Sequence, residues 1–268
     1  MSIKVTLIAH TPNPEQTVAA SAKLCYSPSK VENILDGLNE ETSRSFVEML
    51  ASIGHESPME HVSFTFGIDG ISRACSHQLV RHRIASYSQQ SQRYVDGNCF
   101  DFVTPPSIAD CPQALEVYEK MIAEQGNAYS AIRDSLILQS IRNTPDGQTL
   151  NGTTQEIFEQ YKLLHKQQFS AFTKKANEDA RFILPNACTT SIIVTMNVRS
   201  LHNFFAHRLC NRAQWEIREL AVEMLKICKE IAPSLFKGAG PKCLTGNCPE
   251  GKMSCGKAKE VREFFARL

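Results

Sequence analysis

No stretch of the 268 residues approaches the roughly 18 consecutive apolar residues of a membrane span. A transmembrane helix is therefore not expected. Net charge is equally scant: 29 Lys and Arg stand against 28 Asp and Glu, a formal +1, which leaves no global field to recruit nucleic acid or a membrane surface. The opening residues, MSIKVTLIAHTPNPEQ, lack the basic n-region and long apolar h-region of a signal peptide, so the expectation is a soluble, cytoplasmic protein. Internal repeats and low-complexity tracts are absent. So is any Cys-x-x-Cys pair, although there are ten cysteines. Without an export signal their even number does not imply disulfides. Cys25, Cys75, Cys99, Cys111, Cys188, Cys210 and Cys228 are scattered through segments that read as core or helix, where free Cys acts as a small hydrophobe. Only Cys243, Cys248 and Cys255 cluster, and no fourth metal ligand lies near them in sequence. No metal is assigned, and residues 237–268 read as a flexible, cysteine-bearing tail after a domain of residues 1–236.

What is present is ordinary globular material, 42% hydrophobic and 21% charged. Ile3, Val5 and Leu7 share one face of a first strand. VSFTFGI alternates, with Val62, Phe64, Phe66 and Ile68 on one side and Ser63 and Thr65 on the other, as in a half-buried strand. Residues 189–196, TTSIIVTM, read as a buried strand. Helices are expected over 38–53 (Phe46, Met49, Leu50 and Ile53 inward, Thr42 or Ser43 as cap), from Ser72 to about Arg83, from Pro112 through Val117, Met121, Ala128, Ile132 and Leu136, and over about 154–177. Residues 142–154 read as a loop. Asn197 can cap a last long helix carrying Leu201, Phe204, Phe205, Ile217, Leu220, Met224 and Ile227, stopped near Pro233. Strands and helices intermingle without strict alternation, which predicts an α+β fold.

The chemistry shows in where acids are missing. Residues 70–95 contain no Asp or Glu but hold Arg73, Arg81, Arg83, Arg93, His77 and His82. Residues 180–215 also lack acids but hold Arg181, Arg199, Arg208, Arg212, His202 and His207; an even spread of the 28 acids would place between three and four there. Arginine presents a planar fork of donors to phosphate or carboxylate and keeps its charge when desolvated. Ser86, Ser88, Gln89, Gln90, Ser91 and Gln92 add hydroxyl and amide groups suited to phosphate oxygens or a nucleobase edge. Arg199, Asn203 and His207 recur at i, i+4 and i+8, one polar stripe with Arg208 beside it. Solvated helix faces or inter-subunit contacts are the competing explanation and suit Arg73 and Arg212. A pocket for an anionic ligand suits the remainder better.

The run RHRIASYSQQSQRY at 81–94 resembles the signature of flavin-dependent thymidylate synthases. So do HESPMEH at 55–61, EDAR at 178–181 before Leu184-Pro185, and NVRSL at 197–201 leading to Asn203, Arg208 and AQWE at 213–216. The resemblance implies a single-domain α+β protomer with a mixed or antiparallel sheet and long helices, in a homotetramer with active sites at subunit interfaces. It implies conversion of dUMP to dTMP with 5,10-methylenetetrahydrofolate as carbon donor, FAD as redox cofactor and NADPH as reductant. By the same resemblance, Ser57, Arg81, His82, Arg83, Gln89, Asn197, Val198, Arg199 and Asn203 bind FAD. Gln78, Arg81, Gln89, Gln90, Ser91, Gln92, Arg93, Arg181 and Arg208 hold dUMP. Arg208 matches the position that stabilises ionised uracil N3, and His55 one tied to folate and the redox steps. Gln89 stands where many members carry an acid, Ser88 where many carry Asn, and His207 where many are apolar. An Arg at the N3/O2 edge favours the anionic ring and raises electron density at C5, a route that needs no cysteine nucleophile. Two other readings remain: another flavin-dependent nucleotide-modifying enzyme, and a nucleotide- or RNA-binding module without catalysis. Few Lys and sparse aromatics in both windows weigh against the module.

Overall fold

The computed structural model describes residues 3–97 and 101–268; Cys99 lies outside the described residues. Along the chain come β1 (Lys4–His10), α1 (Pro14–Leu24), α2 (Val31–Asp36), α3 (Glu40–Ser52), a 3-10 turn (Ser57–His61), β2 (Ser63–Ser72), α4 (Arg73–Leu79) and β3 (Ser86–Gln89). They are followed by α5 (Pro106–Ala109), α6 (Pro112–Arg142), α7 (Pro145–Thr149), α8 (Thr154–Leu164) and α9 (Lys166–Ala180). The chain closes with β4 (Thr189–Asn197), α10 (Val198–Arg208), α11 (Trp215–Ile231), α12 (Pro233–Phe236) and α13 (Ala258–Arg267). The class is α+β, with one antiparallel sheet of strand order β1-β2-β4-β3. No helix of the described residues is long and apolar enough to cross a membrane.

Two compact units share the chain: residues up to Ile71 with Cys75–Ser88 and Ser191–Leu268, and Ser72–Ala74 with Gln89–Thr190. In the first, β2 does what its alternation demands: Val62, Phe64, Phe66 and Ile68 are buried, and on the opposite face Thr65 and Thr195 hydroxyls meet at 2.9 Å. Ile192, Val194 and Met196 of β4 enter the same core, with Leu201, Phe204 and Phe205 of α10 and Leu220 and Met224 of α11. β1 pairs antiparallel with β2, Leu7 opposite Phe66, and its register slips between Leu7 and Ala9. Such slips keep an edge strand from offering a regular ladder to another chain.

Several helices depart from their sequence pattern. α3 is capped by Asn39, not Thr42 or Ser43, although Thr42 completes the reciprocal box. It buries Ser43, Val47 and Leu50, while Met49 and Ile53 stay exposed. α4 ends at Leu79, short of Arg83, because the Tyr87 hydroxyl sits 2.9 Å from Leu79 O and 2.8 Å from His82 O and turns that backbone aside. The last long helix is two: Asn197 caps α10 by accepting from Ser200 N (2.8 Å), and Gln214 caps α11 by accepting from Glu216 and Ile217 N.

The second unit is built on α6, α8 and α9 around Ile137, Ile141, Ile157, Phe158, Tyr161 and Ala176. α6 runs where its pattern places it, yet Val117, Met121 and Ile132 are exposed and Tyr129, Ile137 and Ile141 are buried instead. The helix expected over 154–177 breaks at His165, whose φ of −134° is not helical and whose ring bonds Asp146 at 2.8 Å. The expected loop at 142–154 contains α7. Gly97 is required where it stands: a Cβ there would lie 2.7 Å from the Tyr129 ring, whose hydroxyl accepts from Gly97 N at 2.9 Å.

Residues 237–268 are not a loose appendage. Cys243, Val261 and Phe265 belong to the first unit's core, and Arg262 forks onto the carbonyls of Cys243 (2.9 Å) and Gly246 (2.8 Å). Phe265→Ala is expected to cost about 3–5 kcal/mol, the usual range for emptying a buried phenylalanine site. Urea unfolding of both proteins measures it, and a loss below about 1 kcal/mol would mean that α13 is not docked.

Candidate functional site

The turn from α4 to β3 carries Arg81, His82 and Arg83, and the first unit brings Arg208, at the end of α10, onto it. Arg208 Nε donates to His82 Nε2 at 3.0 Å, and its Nη1 reaches Gln78 Oε1 at 3.4 Å. Three residues singled out in sequence thus meet from two distant segments. The His82 ring stands edge-on to Phe204 with centroids 5.0 Å apart, and Tyr87 secures the backbone below it. Because Nε2 accepts, the imidazole is neutral. Burial first, then Arg208 and His207, bring its pKa down from 6.5 to about 4. Burial and the neighbouring Arg81 lower that of Arg208, but a guanidinium starts high enough to remain charged at neutral pH.

These groups line a groove of 1340 Å³. Arg81, His82 and Arg83 form one side; Asn197, Arg199, Asn203 and Arg208 come from the end of β4 and from α10, which confirms the polar stripe as one wall. His207 shares that wall and donates from Nδ1 to Asn203 O at 2.8 Å. Arg81, Arg83 and Arg208 have no acid within ion-pair distance among the described residues. Arg199 differs: Glu60 pairs with it, and Glu56 lies 3.5 Å away. Sequence reasoning passed over both acids, although their spacing of four is visible in HESPMEH. It also gave no groove role to Lys242, Cys243, Cys248 and Glu250, which form a further wall.

Other expected residues stand elsewhere. His55 and Ser57 do not line this groove; His55 Nε2 and Ser57 Oγ are 3.1 Å apart, with Tyr26 edge-on to the imidazole. Val198 is buried and donates its N–H to Val62 O at 2.8 Å. That bond fixes the start of α10.

Gln89, Gln90, Ser91, Gln92, Arg93 and Arg181 belong to the second unit. There Gln89 Nε2 donates to Thr190 Oγ1 at 3.3 Å, and Ser91 Oγ accepts from Arg93 N at 3.3 Å. Glu178 gathers two arginines: its carboxylate pairs with Arg93 at 3.0 Å and its carbonyl accepts from Arg181 Nε at 3.2 Å. Arg93 Nε is buried without a hydrogen-bond partner. An unsatisfied charged donor in such a place is what an anionic or carbonyl ligand would complete. Gln90 is exposed and Gln92 half-buried.

A family model described as "Thymidylate synthase complementing protein" matches residues 6–234. A protein of Clostridium tetani named flavin-dependent thymidylate synthase is 49% identical over 265 residues, covering 99% of this chain and 98% of the relative. One of the same name from Geobacter sulfurreducens is 46% identical over 268 residues, 99% of each chain. Another from Pyrococcus abyssi is 37% identical over 276 aligned positions, 99% of this chain and 98% of the relative.

The neutral state of His82 sets a pH dependence. The unfolded chain takes up this proton near 6.5 and the folded one only near 4, so its contribution to stability is whole above about 6.5 and is lost as pH falls through that window. His82→Gln keeps an acceptor for Arg208 and removes the titration. Its urea midpoint is expected to fall less than that of the wild type between about pH 7 and pH 5. Equal falls would show that His82 is not held neutral.

Proposed function

Given that the chain belongs to the flavin-dependent thymidylate synthase family and is such an enzyme, we propose that it converts dUMP to dTMP with 5,10-methylenetetrahydrofolate as carbon donor, FAD as bound cofactor and NADPH as reductant. The observation that carries this is Arg208: a half-buried cation whose hydrogen-bond partners, His82 and Gln78, are both neutral.

The donor set suits a flavin dinucleotide. Arg81 and Arg83 are exposed cations free of acids, fitted to a pyrophosphate. His82 and Asn203 add groups able to bond ring or ribose atoms. Arg199, already charge-balanced by Glu56 and Glu60, contributes shape and hydrogen bonds more than net charge. Asn197 spends its side-chain oxygen on the α10 cap, leaving its amide N–H groups for a ligand. When bound, the flavin supplies the redox chemistry; the chain's part is to hold, orient and exclude water.

For dUMP, Ser91 and Arg93, with Arg181, supply phosphate donors, and binding through phosphate fixes where the uracil ring lies. In the first unit, Arg208 is the residue suited to a uracil ring edge. Held by neutral partners, its charge is available to the developing N3 anion, which makes C5 nucleophilic. A cysteine nucleophile is not needed, and burial pushes the thiols of Cys75, Cys188 and Cys228 up, that of Cys188 to about 11. We place His55 at the folate and redox steps on the family resemblance. A cytoplasmic homotetramer completes the proposal, supported by Ile84, Leu163 and Phe182, apolar side chains that stand 76%, 86% and 86% exposed.

Arg208→Ala is expected to bind FAD and lose at least about 100-fold in kcat, the scale of deleting one donor to a developing oxyanion. Formation of dTMP under anaerobic conditions measures it. Full activity in the variant would remove Arg208 from the chemistry. In the wild type, NADPH is expected to bleach the flavin spectrum faster when dUMP is present. Failure to take up FAD would overturn the proposal entirely.

A further inference from the structure

One face of α9 carries a cation that the expected nucleotide contacts do not use. Lys174, Glu178 and Arg181 recur at i, i+4 and i+7, so they share one side of the helix and its C-terminal turn. Arg93 and Tyr94, from the same second unit, reach that side. Arg93 pairs with Glu178 at 3.0 Å, and Lys174 Nζ stands 4.1 Å from the centre of the Tyr94 ring. Lys174 lowers the pKa of the Tyr94 phenol, first by a hydrogen bond and then by its charge. Arg93 adds to that effect and Glu178 opposes it, which places all four groups in one neighbourhood. Glu178 is taken by Arg93, and Asp179 lies 3.7 Å from Lys175, so Lys174 pairs with no acid among the described residues. Over Arg93, Lys174, Arg181 and Glu178, three cations stand against one acid, a formal +2. Arg93 Nε, in their midst, is buried without a hydrogen-bond partner.

We infer that Lys174, held against Tyr94, is a further phosphate ligand, and that with Arg93 and Arg181 it selects a nucleotide whose phosphate is a terminal monoester. The inference rests on the reading that the chain binds dUMP and adds a residue to it. A phosphate monoester carries about −1.5 to −2 near pH 7, which the excess of two positive charges matches. A phosphodiester, with one negative charge, leaves part of that excess unanswered, and a nucleoside leaves all of it. The ammonium has three N–H donors in all directions but the stem, so packing on the Tyr94 ring fixes its place and leaves donors for phosphate oxygens. Glu178 orients Arg93 through one side of its guanidinium and leaves Nε unspent. Tyr94 and Glu178 are thus positioning residues, while Lys174 touches the ligand.

The test uses the full FAD-loaded chain, with dUMP, deoxyuridine and inorganic phosphate as probes in calorimetric titrations. Lys174→Met is expected to weaken dUMP binding about tenfold, the lower end of what a charge-assisted hydrogen bond supplies. Its affinity for deoxyuridine, its FAD content and its urea midpoint are expected to stay at the wild-type values. In turnover, KM for dUMP rises by the same factor and kcat holds. Tyr94→Leu is expected to weaken dUMP binding about threefold, the scale of an exposed cation–π contact. Lys175→Met, one residue along the helix, is expected to bind dUMP as the wild type does. Unchanged dUMP affinity in Lys174→Met would overturn the inference, as would equal losses for dUMP and deoxyuridine, or an equal loss in Lys175→Met. A wild-type chain that makes no dTMP, yet binds inorganic phosphate and loses it in Lys174→Met, would refute the reaction and keep the phosphate site. One that binds neither dUMP nor inorganic phosphate would overturn the site itself.

Discussion

The contact between Arg208 and His82 requires a neutral imidazole, and much of the first unit serves that requirement. A protonated His82 would offer no lone pair to Arg208 Nε and would set one cation against another. Phe204 supplies the apolar edge that keeps the ring desolvated, Arg208 itself resists its protonation, and Tyr87 fixes the backbone that carries it. The two elements that deliver the pair are secured from the core side. β4 hands directly into α10 through the Asn197 cap, and Val198 N bonds Val62 O of the chain entering β2. A small displacement of α10 would therefore move Arg208 off His82.

Local charge, not net charge, organises the groove. With a formal +1 over the whole chain, the protein gains little from long-range attraction, but Arg81, Arg83 and Arg208 pair with no acid among the described residues. Glu56 and Glu60 are confined to Arg199. The groove thus holds one charge-balanced arginine and three unbalanced ones, and the unbalanced ones are suited to anions. Gln89 to Arg93 include no acid, so that segment adds no negative charge of its own.

The sequence was most legible where one residue type answers to one environment. The alternation of Val62–Ile68, the apolar run of β4 and the Asn197 cap all appear as read, because pleat and capping are local physics. Helical faces were less legible. The spacing of Val117, Met121 and Ile132 identifies a helix but not its buried side, since that depends on which elements pack against α6. Helix ends failed for a similar reason: Tyr87 stops α4 from eight residues downstream of Leu79, a contact that no local propensity encodes. The site was legible in its arginines, because acid-free windows are rare. It was not legible in its walls. Glu56 and Glu60 answer Arg199 across the fold, and Val198 has the right neighbours in sequence but a place in the core.

The C-terminal segment shows what linear spacing leaves out. Read along the chain, Cys243, Cys248 and Cys255 fall one donor short, and a three-thiol tail is an unconvincing metal site. Cys210 sits just after the helix that presents Arg208 and lines the same groove as Cys243 and Cys248, a neighbourhood that no local pattern announces. Docked on the core, the segment is more than an addition to it: Lys242, Cys243, Cys248 and Glu250 give the groove a wall that neither the arginine turn nor α10 provides. Phe265 in the core and Arg262 on the Cys243 carbonyl hold that wall in place, so residues with no chemistry of their own shape the groove as much as its arginines do.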